Sequence, residues 1–382
     1  MKKSLLVLAT LAATAGFAQA ASVSLYGAAD LGLVYKYNKD TGMDASHSYQ
    51  MKSGNLGSSK FGFKGSEDLG NGYSVGFKLE NGFMADTGTL KGAKDGRIFD
   101  REASLTLTTP FGSLSAGRMG ALSSGAGTYD IFLSYADVFD GGVADIGAGY
   151  WHGTARYDNM FTYVTPDMNG LKVYLQYGLQ NSGTENASVR DNDRYWGLGV
   201  TFDHGPLGLV AVVDSVMPQH KKASLNQDAF TVSLGGHYDL GGVTPFVGVQ
   251  YGKHMQSFGF VNSDLEVGKY KVNSAYVKGY ALSLGSSFDL PAGTLRGVIY
   301  YSQAKGLMDV QVGNDHDIYN LKKGSVLGVG AVYSYPLSKR TKLYTGAGFN
   351  HQKYTAQLFR GTMSDSVKSK NAEVVFGINH AF

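Results

Sequence analysis

The sequence predicts an all-β fold, a sixteen-stranded antiparallel transmembrane β-barrel. Three observations predict this fold. Apolar and polar residues alternate with a period of two along many segments, as they do in strands with one apolar face. Short turns containing Gly or Pro alternate with long polar stretches. The chain also ends on an aromatic residue inside one of the alternating segments, VVFGINHAF.

The composition fits such a barrel and excludes several other classes of protein. The 382 residues include 53 Gly, 25 Tyr and 20 Phe, only 17% are charged, and none is Cys. The lack of Cys excludes a disulfide framework, thiolate metal sites and a Cys nucleophile. The aromatic content argues against disorder. After the first 20 residues, no apolar run reaches the length of a membrane-spanning helix.

The first twenty residues have the pattern of a secretory signal peptide. Lys2 and Lys3 precede an apolar stretch, and Ala18 and Ala20 form an A-x-A cleavage site. We expect cleavage after Ala20, which leaves 21–382 as a single barrel domain. Loss of the two lysines lowers the formal net charge from +3 to +1, and we therefore expect no nucleic-acid partner.

The first mature segment, SVSLYGAADLGLVYKY, sets the pattern for the others. Its odd positions from Val23 to Tyr35 are apolar or small, and its even positions include Asp30 and Lys36. The same alternation recurs in YSVGFKLENGF, LKVYLQYGLQ, KGYALSLGSSF and KLYTGAGFN, and in the closing stretch. Each segment predicts a strand with its apolar face towards lipid. The GVG at 328–330 and GAG at 346–348 predict close packing within strands, for which a subunit contact is one explanation.

The connections between these segments predict the number of strands. Seven short turns lie at 68–72, 109–112, 166–170, 203–206, 239–242, 289–293 and 335–340. Eight long polar stretches lie at about 38–58, 84–100, 119–154, 181–193, 217–227, 255–277, 305–323 and 352–371. Fifteen connections join sixteen strands, which must close because a free edge in hydrocarbon leaves backbone groups unpaired. A soluble secreted β-sandwich or solenoid does not explain so regular an alternation.

Several longer motifs resemble the Gram-negative general porins, most closely their betaproteobacterial branch. They are ASVSLYGAADLGLVY, SKFGFKGSEDLGNGYSVGFKLENGF, DREASLTLTTPFGSLSAGRMG, ARYDNMFTYVTPDMNGLKVYLQYG and the terminal Phe382. The resemblance implies a homotrimer in the outer membrane, among its lipids and lipopolysaccharide, that lets small hydrophilic solutes diffuse passively. It implies no cofactor. It also implies that the third long loop, 119–154, folds into the barrel and narrows it.

The resemblance further implies which residues line the narrowest part of the channel. The loop supplies Asp130, Asp137, Asp140 and Asp145, and the facing wall supplies Lys60, Lys64, Arg101, Arg118 and Arg156. Alternation independently predicts an inward position for Lys60, Lys64 and Arg156, since a lipid-facing base is costly. Arg101 and Arg118 have the lipid-facing parity, so their inward placement rests on the resemblance and needs a bulge or a change of direction at the loop entrance.

Five bases against four acids predict a weak preference for anions. The alternative for the loop acids is that they are solvated and face outward.

Other kinds of site are poorly supported. The polar clusters Asp191–Asp193 and Asp315–Asp317 lack the spacing of a calcium loop, and we expect no metal site. A G-x-S-x-G elbow is absent, and we expect no enzyme. A substrate-specific porin and an adhesin or structural barrel remain as alternatives.

The final residue completes these expectations. Phe382 falls on the lipid-facing parity of the last strand, at the periplasmic aromatic girdle. The resemblance implies that this terminal aromatic strand is the signal that the outer-membrane insertion machinery reads during assembly.

Overall fold

A computed structural model describes most of the chain. The described residues are 23–92, 96–125, 127–140, 143, 145–146, 151, 156–179, 192–218, 227–256, 258, 266–267, 270–312, 315–358 and 364–382. The expected signal peptide lies outside these residues.

Nearly all of the regular structure is β-strand. The strands are β1 (Ser24–Asp40), β2 (Ser46–Ser53), β3 (Lys60–Gly70), β4 (Tyr73–Gly82), β5 (Glu102–Thr109), β6 (Gly112–Gly120), β7 (Arg156–Val164), β8 (Leu171–Gly178), β9 (Arg194–His204), β10 (Leu207–Met217), β11 (Ala229–Tyr238), β12 (Val243–Met255), β13 (Glu266–Val267), β14 (Tyr270–Leu290), β15 (Gly293–Val312), β16 (Asp315–Pro336), β17 (Thr341–Leu358) and β18 (Ser364–Ala381). A short helix, α1 (Phe132–Ala136), lies in the third loop. Within the described ranges, no helix has the length and apolar character to cross a membrane.

The strands form one closed antiparallel barrel. The first strand, β1, pairs with β18 on one side and with β2 and β3 on the other, so the sheet has no free edge. Together β2 and β3 make a single barrel strand, because both pair with β1 and only 54–59 interrupt them. Within the described residues, the two-residue β13 pairs with β14 alone and adds no further strand to the barrel. Sixteen barrel strands result, as predicted.

All seven short turns fall where the sequence predicts them, but several predicted loops are mostly strand. β1 extends to Asp40 and β2 begins at Ser46, inside the expected loop 38–58. β14 to β18 contain 18 to 22 residues each, whereas β5 to β8 contain 8 or 9. The halves of these strands that lie away from the short turns lack a regular apolar alternation, so the sequence does not mark them as strands.

The two faces of the barrel differ as the alternation predicts. Outward side chains such as Leu33, Leu105 and Phe376 are exposed, whereas inward Asp30, Ser115 and Gln250 are buried. Because this outer surface meets lipid, its apolar residues need no protein partner.

The apolar core of the protein lies inside the barrel. It forms where the third loop packs on the inward faces of β9 to β17, and its fully buried side chains include Leu122, Phe132 and Ile146. The wall accepts the loop at inward glycines. A Cβ there would lie between 2.3 and 2.9 Å from a loop side chain, closer than carbon atoms approach. We call these residues the glycine track: Gly199, Gly235, Gly248, Gly285, Gly330 and Gly348.

The glycine motifs at 328–330 and 346–348 do not need a subunit contact to explain their close packing. Their close contacts lie inside the barrel. Gly330, Gly346 and Gly348 lie against Ile146 of the loop, and Gly328 lies against Tyr300.

Candidate constriction of the barrel lumen

The third loop is fixed to the wall close to its start. Ser123 Oγ donates a 2.5 Å hydrogen bond to Asp214 on β10, a buried carboxylate that also accepts from Tyr195 and Thr231. Helix α1 follows and contacts β10, β11 and β12. Tyr135, on α1, donates a 2.7 Å hydrogen bond to Asp203 of β9. These contacts hold the first half of the loop against the wall.

The far part of the loop is tied to the seam where the first and last strands meet. Asp145 forms ion pairs with Lys36 on β1 and Lys52 on β2. Its backbone N–H donates to Glu373 of β18, at 3.1 Å. The two lysines hold the pKa of the Asp145 carboxyl below its ordinary value, although burial opposes them. Asp145 is therefore charged and already paired.

The other three loop acids lie together near Arg296 of β15. Burial, followed by repulsion from Asp140, raises the pKa of Asp130 from 3.8 to about 9. Asp137 accepts a 3.0 Å hydrogen bond from the N–H of Phe139. The Arg296 guanidinium lies 5.9 Å from the centre of the Phe139 ring and within electrostatic reach of Asp137 and Asp140. At neutral pH Asp130 is protonated, so this cluster carries less negative charge than its three carboxyls suggest.

Two of the predicted wall bases share one acid, Glu80 on β4. Arg101 Nε lies 2.6 Å from Glu80 Oε1, and Lys60 Nζ lies 3.5 Å from Glu80 Oε2. Arg101 precedes β5, where its N–H donates to the Glu80 carbonyl, so strict alternation does not govern its direction. Both bases therefore point to the inside of the barrel.

Arg118 lies beside a bulge in the wall. The register between β6 and β7 shifts between Gly117 and Met119, where β7 carries one extra residue, and Gly117 has a φ of +133°, which favours glycine. Arg118 Nε donates a 2.7 Å hydrogen bond to the carbonyl of Asp100, and its Nη1 lies 2.6 Å from Asp158 Oδ1. Arg97 pairs with the same carboxylate at 2.7 Å.

Arg156 and Lys64 differ from these bases. Arg156 Nε is buried and has no hydrogen-bond partner within the described residues. Lys64 lies 5.2 Å from the centre of the Tyr26 ring and lines a cavity of about 350 Å³. Lys78, Glu102 and Thr128 line the same cavity, and Lys78 pairs with Glu102 at 2.8 Å.

The neighbour of Arg156 does not follow the alternation that predicts its position. Tyr157 is buried against Tyr195, with 4.8 Å between ring centroids, next to the bulge of β7 where Asn159 has a φ of +53°.

We define the basic wall as eleven charged residues of β3 to β7 and of 97–101. They are Lys60, Lys64, Lys78, Arg97, Arg101, Arg118 and Arg156, with Glu80, Asp100, Glu102 and Asp158. Seven bases and four acids leave three positive charges. Sequence reasoning did not select the acids as site residues, although Glu80 shares the inward parity of Lys78.

The seam of the barrel has its own buried acid. Asp30 accepts hydrogen bonds from the N–H groups of Asn55 and Leu56, from Tyr344 and from Asn379. It thereby joins β1, the interruption between β2 and β3, β17 and β18. At the periplasmic end, Phe382 and Gly27 exchange two 3.0 Å backbone hydrogen bonds.

No metal site is evident in the part of the chain that the structure describes, where no three His, Asp or Glu side chains are grouped to hold an ion. Asp191 and the side chains of Asp315, His316 and Asp317 lie outside that part.

A closed sixteen-stranded barrel with an apolar outer face, a loop packed inside it and a charged inner wall defines a β-barrel channel of the outer membrane. Residues 7–355 match the family described as Gram-negative porin, and the chain belongs to that family.

Two relatives cover much or all of the chain. An outer membrane porin protein of Bordetella pertussis is 34% identical over 264 residues, which are 63% of this chain and 66% of that protein. Outer membrane porin protein 32 of Delftia acidovorans is 28% identical over 391 residues and spans all of both chains.

Solved structures have the same fold. The anion-selective porin from Comamonas acidovorans superposes with a TM-score of 0.67 at 22% identity, over 95% of this chain and 100% of that one. OmpT of Vibrio cholerae in its trimer form superposes with a TM-score of 0.56 at 16% identity, over 95% and 100%. The protein is thus an outer-membrane porin, and its family and fold are those of channels.

Proposed function

We propose that this porin passes ions and small hydrophilic solutes by passive diffusion between the inward loop and the basic wall, with a weak preference for anions. One observation carries the proposal, which is the excess of three positive charges on the basic wall. Arg156 and Lys64 contribute most to it, because neither forms an ion pair with a described carboxylate. Fixed charges along a narrow, water-filled path select permeant ions by their sign.

The loop acids cancel only part of this excess, because Asp137 and Asp140 lie within electrostatic reach of Arg296. Asp145 is paired with Lys36 and Lys52, and Asp130 is protonated at neutral pH. The preference is weak because four acids are interspersed among the seven bases. The solved porin from Comamonas acidovorans is anion-selective, and we propose the same sign here.

The test is the reversal potential of purified channels in a potassium chloride gradient across a planar bilayer. The wild type is expected to prefer chloride. Arg156→Gln and Lys64→Gln each remove one of the three excess charges and are expected to shift the reversal potential towards potassium. Lys339→Gln, in an exposed periplasmic turn, is the matched control and is expected to cause no shift. Identical potentials for all four proteins would mean that the basic wall does not set selectivity.

The same proposal extends to maturation and assembly. Residues 1–20 are removed on export, the insertion machinery reads the strand that ends at Phe382, and three copies assemble among lipids and lipopolysaccharide. OmpT of Vibrio cholerae forms a trimer on the same fold. Migration as a heat-sensitive oligomer on gels tests the trimer.

The channel is general and has no catalytic activity in this proposal. A substrate-specific porin would instead show block of its ion current by one solute at low concentration. An adhesin or structural barrel would fold but conduct no current.

A further inference from the structure

A second cavity lies inside the barrel, towards the periplasmic end of β15 to β18. Its volume is about 440 Å³. Thr294 and Lys342, which line it, lie just after two of the short turns. Strand β1 separates this part of the wall from β3, where the basic wall begins. We call it the turn-side cavity, and its lining includes Leu56, Thr294, Arg296, Ser334, Lys342 and Asn379.

The interruption at 54–59 forms the facing side of the turn-side cavity. Leu56 and Gly57 of this segment line the cavity. The N–H of Leu56 donates to Asp30 Oδ2 at 3.1 Å, and Asn379 Nδ2 donates to the same oxygen at 3.0 Å. The Asp30 carboxylate is fully buried and already satisfied by its donors. These bonds hold the segment in place, so the cavity is formed before any ligand arrives.

The lining of the turn-side cavity carries two bases and no acid. The Arg296 guanidinium donates one long hydrogen bond, to the carbonyl of Val138 at 3.4 Å. Asp137 and Asp140 lie within its electrostatic reach, but Arg296 forms no ion pair with a described residue. Lys342 is exposed and has neither a hydrogen bond nor an ion pair among the residues that the structure describes. Both bases therefore keep N–H donors for a ligand.

A buried hydroxyl lies between the two bases. The register makes Ser334 of β16 the diagonal neighbour of both Arg296 on β15 and Lys342 on β17. Such neighbours lie about 7 to 8 Å apart, within the reach of long basic side chains. Ser334 is 8% exposed, and its Oγ has no hydrogen-bond partner within the described residues. Thr294 lies directly opposite Ser334 and adds a second hydroxyl. A buried hydroxyl without a partner costs free energy, which a ligand that accepts its hydrogen bond restores.

We propose that the turn-side cavity binds a sugar phosphate, with the phosphate held between Arg296 and Lys342. A phosphate monoester carries a charge of about −1.5 to −2 at pH 7 and three acceptor oxygens. These match a guanidinium fork, an ammonium and two hydroxyls better than the two oxygens and single charge of a carboxylate do. A phosphate group fills only part of the cavity, and a sugar fits the rest. Its hydroxyls can pair with Asn379, and its ring can pack on Leu56.

The test is a titration of glucose 6-phosphate with detergent-purified channels, followed by the width of its phosphorus NMR line. Glucose and gluconate are the competitors, because glucose lacks the phosphate and gluconate carries a carboxylate instead. Lys342→Gln removes an exposed base of the cavity. Ser334→Ala removes the unpartnered hydroxyl without changing the charge, and loss of such a group should not destabilise the barrel. The controls are Lys339→Gln, in an exposed periplasmic turn, and Lys64→Gln, in the basic wall.

Wild type is expected to broaden the phosphorus line saturably, and neither glucose nor gluconate should compete strongly. Lys342→Gln should lower the affinity about tenfold and Ser334→Ala about fivefold, as for the loss of one hydrogen bond to a charged group. The two controls should bind as wild type does.

Four results would overturn the proposal. They are no saturable binding by wild type, competition by gluconate equal to that of unlabelled glucose 6-phosphate, wild-type affinity in both cavity variants, and an equal loss in either control. The titration involves no current. A channel without anion preference can therefore still bind the sugar phosphate, and an anion-selective channel can fail to bind it, so the two proposals fail separately.

Discussion

Ile146 holds the third loop against the wall, and its contact with Gly330 can be tested by adding a single methyl group. Gly330→Ala places a Cβ where Ile146 Cγ2 now lies only 2.3 Å away. Carbon atoms pack at about 3.5 to 4.0 Å, so this part of the loop must move by more than about 1 Å. The wall is hydrogen-bonded on both sides of Gly330, so the loop moves, and it moves into the lumen.

The size of the effect follows from the packing of Ile146. Its side chain is 2% exposed and also contacts Gly346 and Gly348. Overpacking such a site costs about 1 to 3 kcal/mol, which raises the population of loosened loop states between about fivefold and 150-fold. Ile146→Ala also weakens docking, by about 2 to 5 kcal/mol, but it removes the atoms that clash. In that background Gly330→Ala should cost almost nothing.

The assay is single-channel recording in planar bilayers, combined with heat unfolding of the four proteins of this double-mutant cycle. Gly330→Ala should lower the open-channel conductance and increase brief closures. Ile146→Ala should increase closures without lowering the open level. The double variant should resemble Ile146→Ala. Additive effects of the two substitutions, or an unchanged Gly330→Ala channel, would refute the proposed contact.

Three further predictions concern the seam and the loop acids. Deleting Phe382 removes two backbone hydrogen bonds to Gly27 and should reduce the yield of assembled protein far more than the conductance of inserted channels; equal yields in membrane fractions would contradict this. Asp30→Ala leaves four buried or half-buried donors without their acceptor. It should destabilise the barrel by about 3 kcal/mol or more, as measured by heat unfolding. Asp30→Asn should retain part of the stability. The pKa of Asp130 is higher in the folded protein than its ordinary 3.8, so the folded form binds one more proton than the unfolded form between about pH 4 and pH 9. The free energy of unfolding should therefore decline as the pH rises through this range. Asp130→Asn should flatten this pH profile, and an unchanged slope would count against the prediction.

Much of the fold could be predicted because alternation reports directly on which face of a strand meets lipid. Leu33, Leu105 and Phe376 are apolar for that reason, and the seven turns carry the residues that reversals need. The halves of β14 to β18 away from the short turns were missed because their sequence lacks a regular apolar alternation. The interruption at 54–59 was missed because it resembles an ordinary polar loop in sequence.

The candidate site was less predictable, because its partners come from strands distant in sequence. The inward parity of Glu80 was readable, but its pairing with Arg101 and Lys60 depends on the register of three strands. Asp145 pairs with residues about a hundred positions away. The bulge beside Arg118 depends on a register shift between β6 and β7, which local alternation alone does not reveal.

The glycine track makes the barrel interior asymmetric. One side of the interior is packed like the core of a soluble protein, so under the proposed function the permeation path runs beside the barrel axis, next to the basic wall. Substitutions inside one barrel should therefore fall into two groups according to strand. Those on the inner faces of β9 to β17 act on folding and on loop fluctuations, whereas those on β3 to β7 act on the charge and rate of the current. Substitutions on β3 to β7 can thus change ion selectivity while the packing of the loop on β9 to β17 stays the same.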